Sequence, residues 1–477
     1  MIFVIKHRPV SEAENMVAKM QWDKLMNTDR LGVGNASEKI SQGGNRFSDD
    51  KDRVLFSKEA RLLQGKTQVF SLPSAGEYVR NRFSHSLEVS SVGRRIGNII
   101  KCALHEKYPE MRGKQKYDFA SLIEAACLCH DIGHPPLAHV GEDAIRLWFK
   151  ESPLAETVFK KMQAAGQGER VHDFQRFEGN AQNFRLLSRL MKRHKVGGLQ
   201  LTLATLATVA KYPCSADYSR LAIYNSHVGF KKHGFFMDDA ELFNEVAEGT
   251  GLLREDDNEL GWCRHPLSYI VEAADDICYS VIDIEDAVSM GCVTYKDAVD
   301  QIIGISGHDN LPDYQCFVTD QTKLEEIREE AIRVLIKEVA DVFLRNEDAL
   351  LSGTFCGDLI SQSRYANEVS SLKRFAQKHI YVSMPALSIR TSGYAMLEGL
   401  MSAFVAAVED KSENGEHCSS KSEMIVTLAA TLTEGKGMCS NDPYQRLLSI
   451  TDMISGLSDE KAIEVYKIIS GQSLTSL

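Results

Sequence analysis

Proline is scarce in this chain, 11 in 477 residues, and strands with clean apolar-to-polar alternation are hard to find. A sheet-based fold is therefore not expected. The 11 cysteines are odd in number and include no C-x-x-C pair; Cys127 and Cys129, the closest two, sit inside an apolar run. That pattern excludes a disulfide framework and points to reduced thiols in a cytoplasmic protein. The opening Met1-Ile-Phe-Val-Ile-Lys-His-Arg-Pro9 lacks a positive region ahead of its apolar stretch and a small-residue cleavage site, so secretion is not expected. The longest apolar run, Leu201 to Ala210, is about half of what a bilayer requires and is broken by threonines, so no membrane span is expected. Positive charge is also short: 55 Lys and Arg against 66 Asp and Glu leave a net charge of -11, which disfavours nucleic acid as the main ligand. An acidic chain that handles phosphates must gather positive charge at the site itself, through a metal and a few chosen Arg and Lys.

The remaining composition, 43% hydrophobic and 25% charged, is that of an ordinary globular protein. Apolar residues recur at three-to-four spacing over 82–104, 119–130, 181–194, 267–288 and 321–345, which predicts an all-α fold. Ser121-x-x-Glu124 has the form of a capping box, although apolar neighbours on both sides also suit a place within a helix. Segments 27–52, 305–315 and 409–423, rich in Gly, Ser, Asn and Asp, read as loops or poorly ordered segments rather than domain linkers. No internal repeat is found. The expected division is an N-terminal extension over 1–47, a catalytic core over 48–300, and a helical C-terminal region over 301–477 packed on that core.

His130-Asp131 falls in the run Cys129-His-Asp-Ile-Gly-His-Pro-Pro-Leu-Ala-His139-Val-Gly-Glu142, directly after an apolar helix. A neutral imidazole beside an ionised carboxylate supplies the mixed nitrogen and oxygen ligands that a hard-to-borderline divalent cation takes. Upstream, His85 shares a helical stripe with Val89, Val92, Ile96, Ile99 and Ile100; downstream, Asp275 lies within a stripe of Leu267, Val271, Ala274, Cys278 and Ile282. A single His or Asp on such a stripe is commonly a hydrogen-bonded core residue. Several ionisable groups aimed inward from separate helices read better as one shared cation site, because an unpaired buried carboxylate is costly. His85, His130, Asp131 and Asp275 are the expected ligands. Asp276 shares its face with Glu272, Tyr279, Ser280 and Asp283 and is the weaker candidate. The second His-Asp pair, His172-Asp173, sits in the polar run Gly168 to Arg176 without a stripe and reads as surface loop.

Immediately after the ligand pair, Gly133 and Pro135-Pro136 force a turn that can bring His134 and His139 to an open metal position. His139 with Glu142 forms the expected acid/base dyad, since a His steered by a carboxylate suits proton transfer near neutral pH. His134 serves in the same chemistry or hydrogen-bonds the turn. Arg80, Arg82 and the Lys211 of Lys211-Tyr212-Pro213 supply local positive charge, Arg82 standing out beside a proposed ligand. Asp275, Tyr279 and Asp283 sit four apart, a ladder against which a sugar can lie; a Tyr packed in the core suits the same pattern.

These residues resemble the HD-domain deoxynucleoside triphosphate triphosphohydrolases, the bacterial deoxyguanosinetriphosphate triphosphohydrolase (dGTPase) group above all. The shared segments are Arg61-Leu-Leu-Gln-Gly-Lys-Thr-Gln-Val-Phe70, Arg82-Phe-Ser-His-Ser-Leu-Glu-Val89, His130 to Glu142, Phe177-Glu-Gly-Asn-Ala-Gln182, Lys211-Tyr-Pro213 and Glu272-Ala-Ala-Asp-Asp-Ile277. They cover roughly 48–290 and recur near 446–459. The resemblance implies that His85, His130, Asp131 and Asp275 bind a divalent metal, Mg or Mn first, with Co or Fe as further candidates, and that His139, Glu142 and His134 assist the reaction. It further implies that Gln68 and Asp283 hold the 3′-hydroxyl, that Tyr279 packs where a 2′-hydroxyl would stand, and that Arg82 and Lys211 grip phosphates, with Asn180 and Arg446 as additional substrate residues. The implied reaction is hydrolysis of a dNTP to deoxynucleoside and inorganic triphosphate by water attack at the α-phosphorus. The implied partners are the dNTP substrate, further copies of the chain in a homo-oligomer, often a hexamer, and a single-stranded DNA or nucleotide effector; no membrane is implied. Residues 1–47 and most of 291–440 carry none of these segments, and base choice and regulation are expected there.

Two alternatives stay open at this point. Another HD-type phosphohydrolase, a 5′-nucleotidase or phosphodiesterase, would share the metal core and release a different product. A nucleotide-binding regulator without turnover would keep the fold but has no need of an intact His139 and Glu142.

Overall fold

The computed structural model describes residues 18–33, 45–68, 80–221, 227–255, 260–307, 319–433 and 438–473. Among the described residues the regular structure is helical, and β-type pairing is confined to isolated bridges such as Arg30 with Thr202. The helices around the cleft are α1 (Arg46–Leu55), α2 (Arg82–Lys107), α3 (Phe119–Cys129), α4 (Ala138–Glu151), α5 (Gly179–Arg185), α6 (Leu203–Val209), α7 (Ser268–Ser289), α8 (Asp320–Arg345), α9 (Ala366–His379), α10 (Met384–Asn414), α11 (Pro443–Ser455) and α12 (Asp459–Ile469).

Local chemistry sets several of their starts. Asn81 accepts the Ser84 amide while the Ser84 hydroxyl closes back on Asn81, a capping box that opens α2 three residues before His85 leaves its first turn. Asp118 caps α3 by accepting from Ser121, so Ser121 is the third residue of that helix and the Ser121-x-x-Glu124 pattern lies inside it. Asp442 caps α11, whose first residue is Pro443.

Two apolar cores organise the packing. The first runs from Met20 and Trp22 through the inner faces of α2, α3, α6 and α7 to α8 and α9. The second joins Ile145, Trp148 and Phe149 of α4 to Leu397, Leu400 and Phe404 of α10 and to Leu447 and Ile454 of α11. The stripe of Val89, Val92, Ile96 and Ile100 is buried, as is that of Leu267, Val271, Ala274, Cys278 and Ile282, whereas Ile99 sits on the outer face of α2. By length and composition the stretch Ala386–His417 could cross a membrane, but half of its apolar window is buried against the second core.

Three expected loops are partly helix. Asn45 caps α1, which takes in 46–52 of the supposed loop 27–52; residues 34–44 lie outside the described residues. Segment 409–423 carries the end of α10, a turn at Gly415 with φ of 57°, and a new helix capped by Ser419, so its polar residues are caps rather than coil. Segment 305–315 begins with the last turn of the helix Tyr295–Ser306, and 308–315 lie outside the described residues.

The surface-loop reading of His172-Asp173 is corrected. Both lie in the short helix Val171–Gln175, and Asp173 is buried because its carboxylate accepts from the Tyr444 hydroxyl at 2.7 Å and the Met237 amide at 2.8 Å. Polar neighbours hid a carboxylate whose partners lie far away in sequence. Burial, opposed by those two hydrogen bonds, raises its pKa from 3.8 to about 7. Between about pH 4 and pH 7 the folded chain therefore holds a proton that the unfolded chain has lost, and stability falls as pH rises through that window. In Asp173→Asn the side-chain oxygen still accepts from both donors but nothing titrates. Urea unfolding at pH 5 and pH 8 should show a pH slope smaller in Asp173→Asn than in wild type, by up to a few kcal/mol across the window. Equal slopes would show that Asp173 is not the source.

Candidate metal centre and cleft

His85 leaves the first turn of α2, His130 and Asp131 follow the last turn of α3, and Asp275 projects from the second turn of α7. Their side chains converge. His85 Nε2 lies 3.2 Å from Asp275 Oδ1, and His130 Nε2 lies 3.4 Å from Asp131 Oδ1 and 3.5 Å from Asp275 Oδ1. Ligand atoms around a cation with bonds of about 2.0–2.2 Å stand roughly 3.0–3.5 Å apart, so the spacing suits one shared ion. His130 Nδ1 meets the Cys127 carbonyl at 2.7 Å, which places the ring proton there and leaves Nε2 a bare lone pair, buried without a hydrogen-bond partner. An orphaned imidazole lone pair aimed between two carboxylates fits a divalent metal with mixed nitrogen and oxygen ligands.

The surrounding charges keep the carboxylates ionised. Burial opposes ionisation of Asp131, but the Arg82 guanidinium, 2.5 Å away, and the nearby histidines hold its pKa far below the usual range. Burial likewise opposes Asp275, and Lys211, whose Nζ donates to Oδ2 at 2.7 Å, outweighs it with help from His130 and His85. His130 is pushed down by burial and up, more strongly, by Asp131 and Asp275.

The second cluster lies one turn further on. Glu142 is fully buried on α4; its Oε2 meets His139 Nδ1 at 3.0 Å and its Oε1 accepts the Gly179 amide at 2.7 Å. A Cβ at Gly179 would stand 2.5 Å from that carboxylate oxygen, which explains the glycine in Phe177 to Gln182. His139 is 65% exposed and lines the cleft. With Nδ1 on Glu142, its Nε2 is left for a ligand. Glu142 stays ionised against its burial because His139 and His134 face it. His134 Nδ1 lies 3.2 Å from Asp131 Oδ1, while burial and the Arg82 charge lower its pKa to about 3. The chain reaches His139 through Leu137 and Ala138, both left-handed with φ of 61° and 58°. Each such non-glycine residue costs about 1–2 kcal/mol.

The cleft has a volume of about 600 Å³ and is lined by Gln68, Arg82, His130, Asp131, His134, His139, Asn180, Lys211, Asp275 and Tyr279, among others. Gln68 Oε1 is buried there without a partner. Two expected substrate residues are not brought to the cleft wall. Asp283 lies behind it, buried, its Oδ2 accepting from the Tyr381 hydroxyl at 2.8 Å. Arg446 lies in the second core, where its guanidinium is held by Glu409 at 2.6 Å and by the carbonyls of Ser440 and Asn441. Its apolar helix packs it away from the metal cluster.

Sequence reasoning missed one wall. Gln377, Tyr381, Val382, Ala386, Ile389 and Arg390, from the end of α9 and the start of α10, line the side facing α7. Tyr381 stacks on Tyr279 with centroids 5.9 Å apart and planes 21° from parallel, and Lys373 pairs with Asp276 at 2.9 Å. Lys373, Gln377 and Tyr381 recur every four residues, the face signal that could have found them. Lys232, paired with Glu178 at 2.9 Å, also lines the cleft and went unremarked.

An all-α fold that gathers two histidines and two aspartates in a cleft also lined by Arg82, Lys211, Lys232 and Arg390 defines an HD-domain hydrolase, and residues 82–195 match the family described as HD domain. Over almost the whole chain the likeness is narrower. A deoxyguanosinetriphosphate triphosphohydrolase-like protein of Synechocystis sp. is 35% identical over 95% of this chain and 100% of its own length. One of Pseudomonas aeruginosa is 35% identical over 96% of this chain and 100% of its own. The deoxyguanosinetriphosphate triphosphohydrolase of Yersinia pseudotuberculosis is 29% identical over 88% and 93%. The chain belongs to the deoxyguanosinetriphosphate triphosphohydrolase-like family.

Proposed function

We propose that the chain hydrolyses a deoxynucleoside triphosphate, dGTP above the others, to deoxynucleoside and inorganic triphosphate. The observation that carries this reading is the meeting of His85, His130, Asp131 and Asp275 at the base of a cleft that also presents Gln68, Tyr279, Lys211 and His139. A divalent cation held there, Mg or Mn first, would neutralise charge on the α-phosphate and acidify the attacking water. Arg82 and Lys211 keep the acidic ligands ionised and offer positive charge to the phosphates. Lys232 and Arg390 add to that charge around the same cleft. His139, oriented by Glu142, delivers a proton to the departing 5′-oxygen. Gln68 offers its unpartnered amide oxygen to a sugar hydroxyl, and the stacked Tyr279 and Tyr381 leave little room beside the sugar for a 2′-hydroxyl. Asn180 stands close enough to the cleft to join the phosphate contacts.

We place this activity in the cytoplasm, in keeping with described cysteines that are all unbonded. A homo-oligomer, a hexamer by resemblance, and a nucleotide or single-stranded DNA effector belong to the same reading. So does a core over 48–300 that holds the ligands, with the rest of the chain packed on it. The test is incubation with each dNTP and NTP plus Mg or Mn, followed by product separation. Deoxyguanosine and intact triphosphate from dGTP, with NTPs untouched, are expected. Monophosphate with pyrophosphate would replace the reaction, and absence of turnover with every nucleotide and metal would leave a binding protein.

A further inference from the structure

Asp459 opens α12, more than 300 residues beyond Thr67 and Leu137, yet its carboxylate reaches both arms of the cleft. Oδ2 accepts the Thr67 amide at 2.8 Å and Oδ1 accepts the Leu137 amide at 2.9 Å, and the side chain is buried. Thr67 precedes Gln68, and its carbonyl accepts from Arg82 Nε at 3.2 Å, the same guanidinium that holds Asp131. Leu137 begins the left-handed pair that sets the direction of His139. A non-glycine residue stays in that region only where its surroundings hold it, and the one side-chain hydrogen bond on the Leu137 amide comes from Asp459. Lys66 repeats the connection with opposite polarity: its buried Nζ donates to the His134 carbonyl at 2.6 Å and to the Ser455 carbonyl at 2.8 Å. Neither Asp459 nor Lys66 lines the cleft.

We propose that Asp459 is a positioning residue for the reaction of the preceding section, one carboxylate that fixes the segment bearing Gln68 and the turn bearing His139 relative to each other. The inference rests on that reading of the site, with His139 as the proton donor. Without the carboxylate the turn through Leu137 relaxes, His139 loses its aim, and Gln68 drifts with Thr67. Binding of the cation is spared, because His85, His130 and Asp275 are held by other partners.

The test compares Asp459→Ala and Asp459→Asn with Ser458→Ala, which removes the cap of α12 and leaves the carboxylate in place. In hydrogen exchange followed by mass spectrometry, Asp459→Ala should take up deuterium faster in peptides over 66–68 and 134–140 and not over 82–90 or 270–280; this readout needs no substrate. For dGTP hydrolysis, kcat should fall at least tenfold in Asp459→Ala with KM changed less than threefold. Asp459→Asn, which keeps one acceptor, should fall in between, and Ser458→Ala should lower Tm while keeping kcat within twofold. The proposal is overturned if exchange at 134–140 is unchanged, or if Ser458→Ala and Asp459→Ala lose kcat in step with Tm. If Asp459→Ala does not fold, Asp459→Asn carries both measurements. If wild-type protein releases no triphosphate while Asp459→Ala still exchanges faster over 66–68 and 134–140, the reading of the reaction fails and the positioning of these two segments by Asp459 stands.

Discussion

Asp275→Ala should lose the bound cation and the hydrolysis together. The carboxylate offers Oδ1 to the space shared with His85 and His130 and Oδ2 to Lys211. Removing it deletes one of four ligands. It also leaves the Lys211 ammonium, little exposed, without its partner and beside the ion's place, where its charge repels a cation. Metal ions contribute several kcal/mol to reactions at phosphorus, and each 1.4 kcal/mol is tenfold, so activity should fall by roughly 10³-fold or more. Elemental analysis after dialysis against Mn should give about one equivalent in wild type and far less in the variant, with circular dichroism unchanged. Asp276→Asn is the control, because Asp276 faces Lys373 rather than the cluster. A variant that loads metal and turns over would remove Asp275 from the ligand set.

His139→Ala should be nearly as damaging to catalysis and only moderately destabilising. The imidazole is mostly exposed, so truncation opens no cavity, but it removes the hydrogen bond that helps keep buried Glu142 ionised. A positioned acid or base is worth about 10²–10⁴-fold, so kcat should drop by that factor, while the unpaired Glu142 oxygen costs about 1–3 kcal/mol and lowers Tm by a few degrees. Glu142→Ala makes the contrast: it strips the Gly179 amide of its acceptor inside the protein, a cost of about 1–3 kcal/mol, as well as freeing His139. Thermal melts and steady-state kinetics on both variants separate the two roles. If His139→Ala retains more than a tenth of wild-type kcat, the proton comes from elsewhere.

The part of the site carried by regular helices was legible in the sequence. His85 and Asp275 announce themselves because each interrupts an apolar stripe that must be buried, and burial of an ionisable group demands a partner. His130-Asp131 was legible because it follows such a stripe directly. What the sequence concealed is the distant pairing of polar residues. Asp173 looked like loop because its neighbours are polar, and only the fold brings Tyr444 to it. Arg446 matched a family segment, yet Glu409 holds it within the second core. Asp459 lacks a stripe altogether, and its two amide partners are defined only once α12 docks. The wall formed by Gln377, Tyr381 and Arg390 lies where no family segment was found, within the stretch where base choice was expected, and it lines the cleft.

The central claim is that one cation is held jointly by side chains from α2, α7 and the end of α3. Anomalous diffraction at the manganese edge from crystals grown with Mn measures it directly. The account predicts one strong peak within about 2.0–2.3 Å of His85 Nε2, His130 Nε2, Asp131 Oδ1 and Asp275 Oδ1. A peak elsewhere, or density at these four groups with none at millimolar Mn, would contradict it.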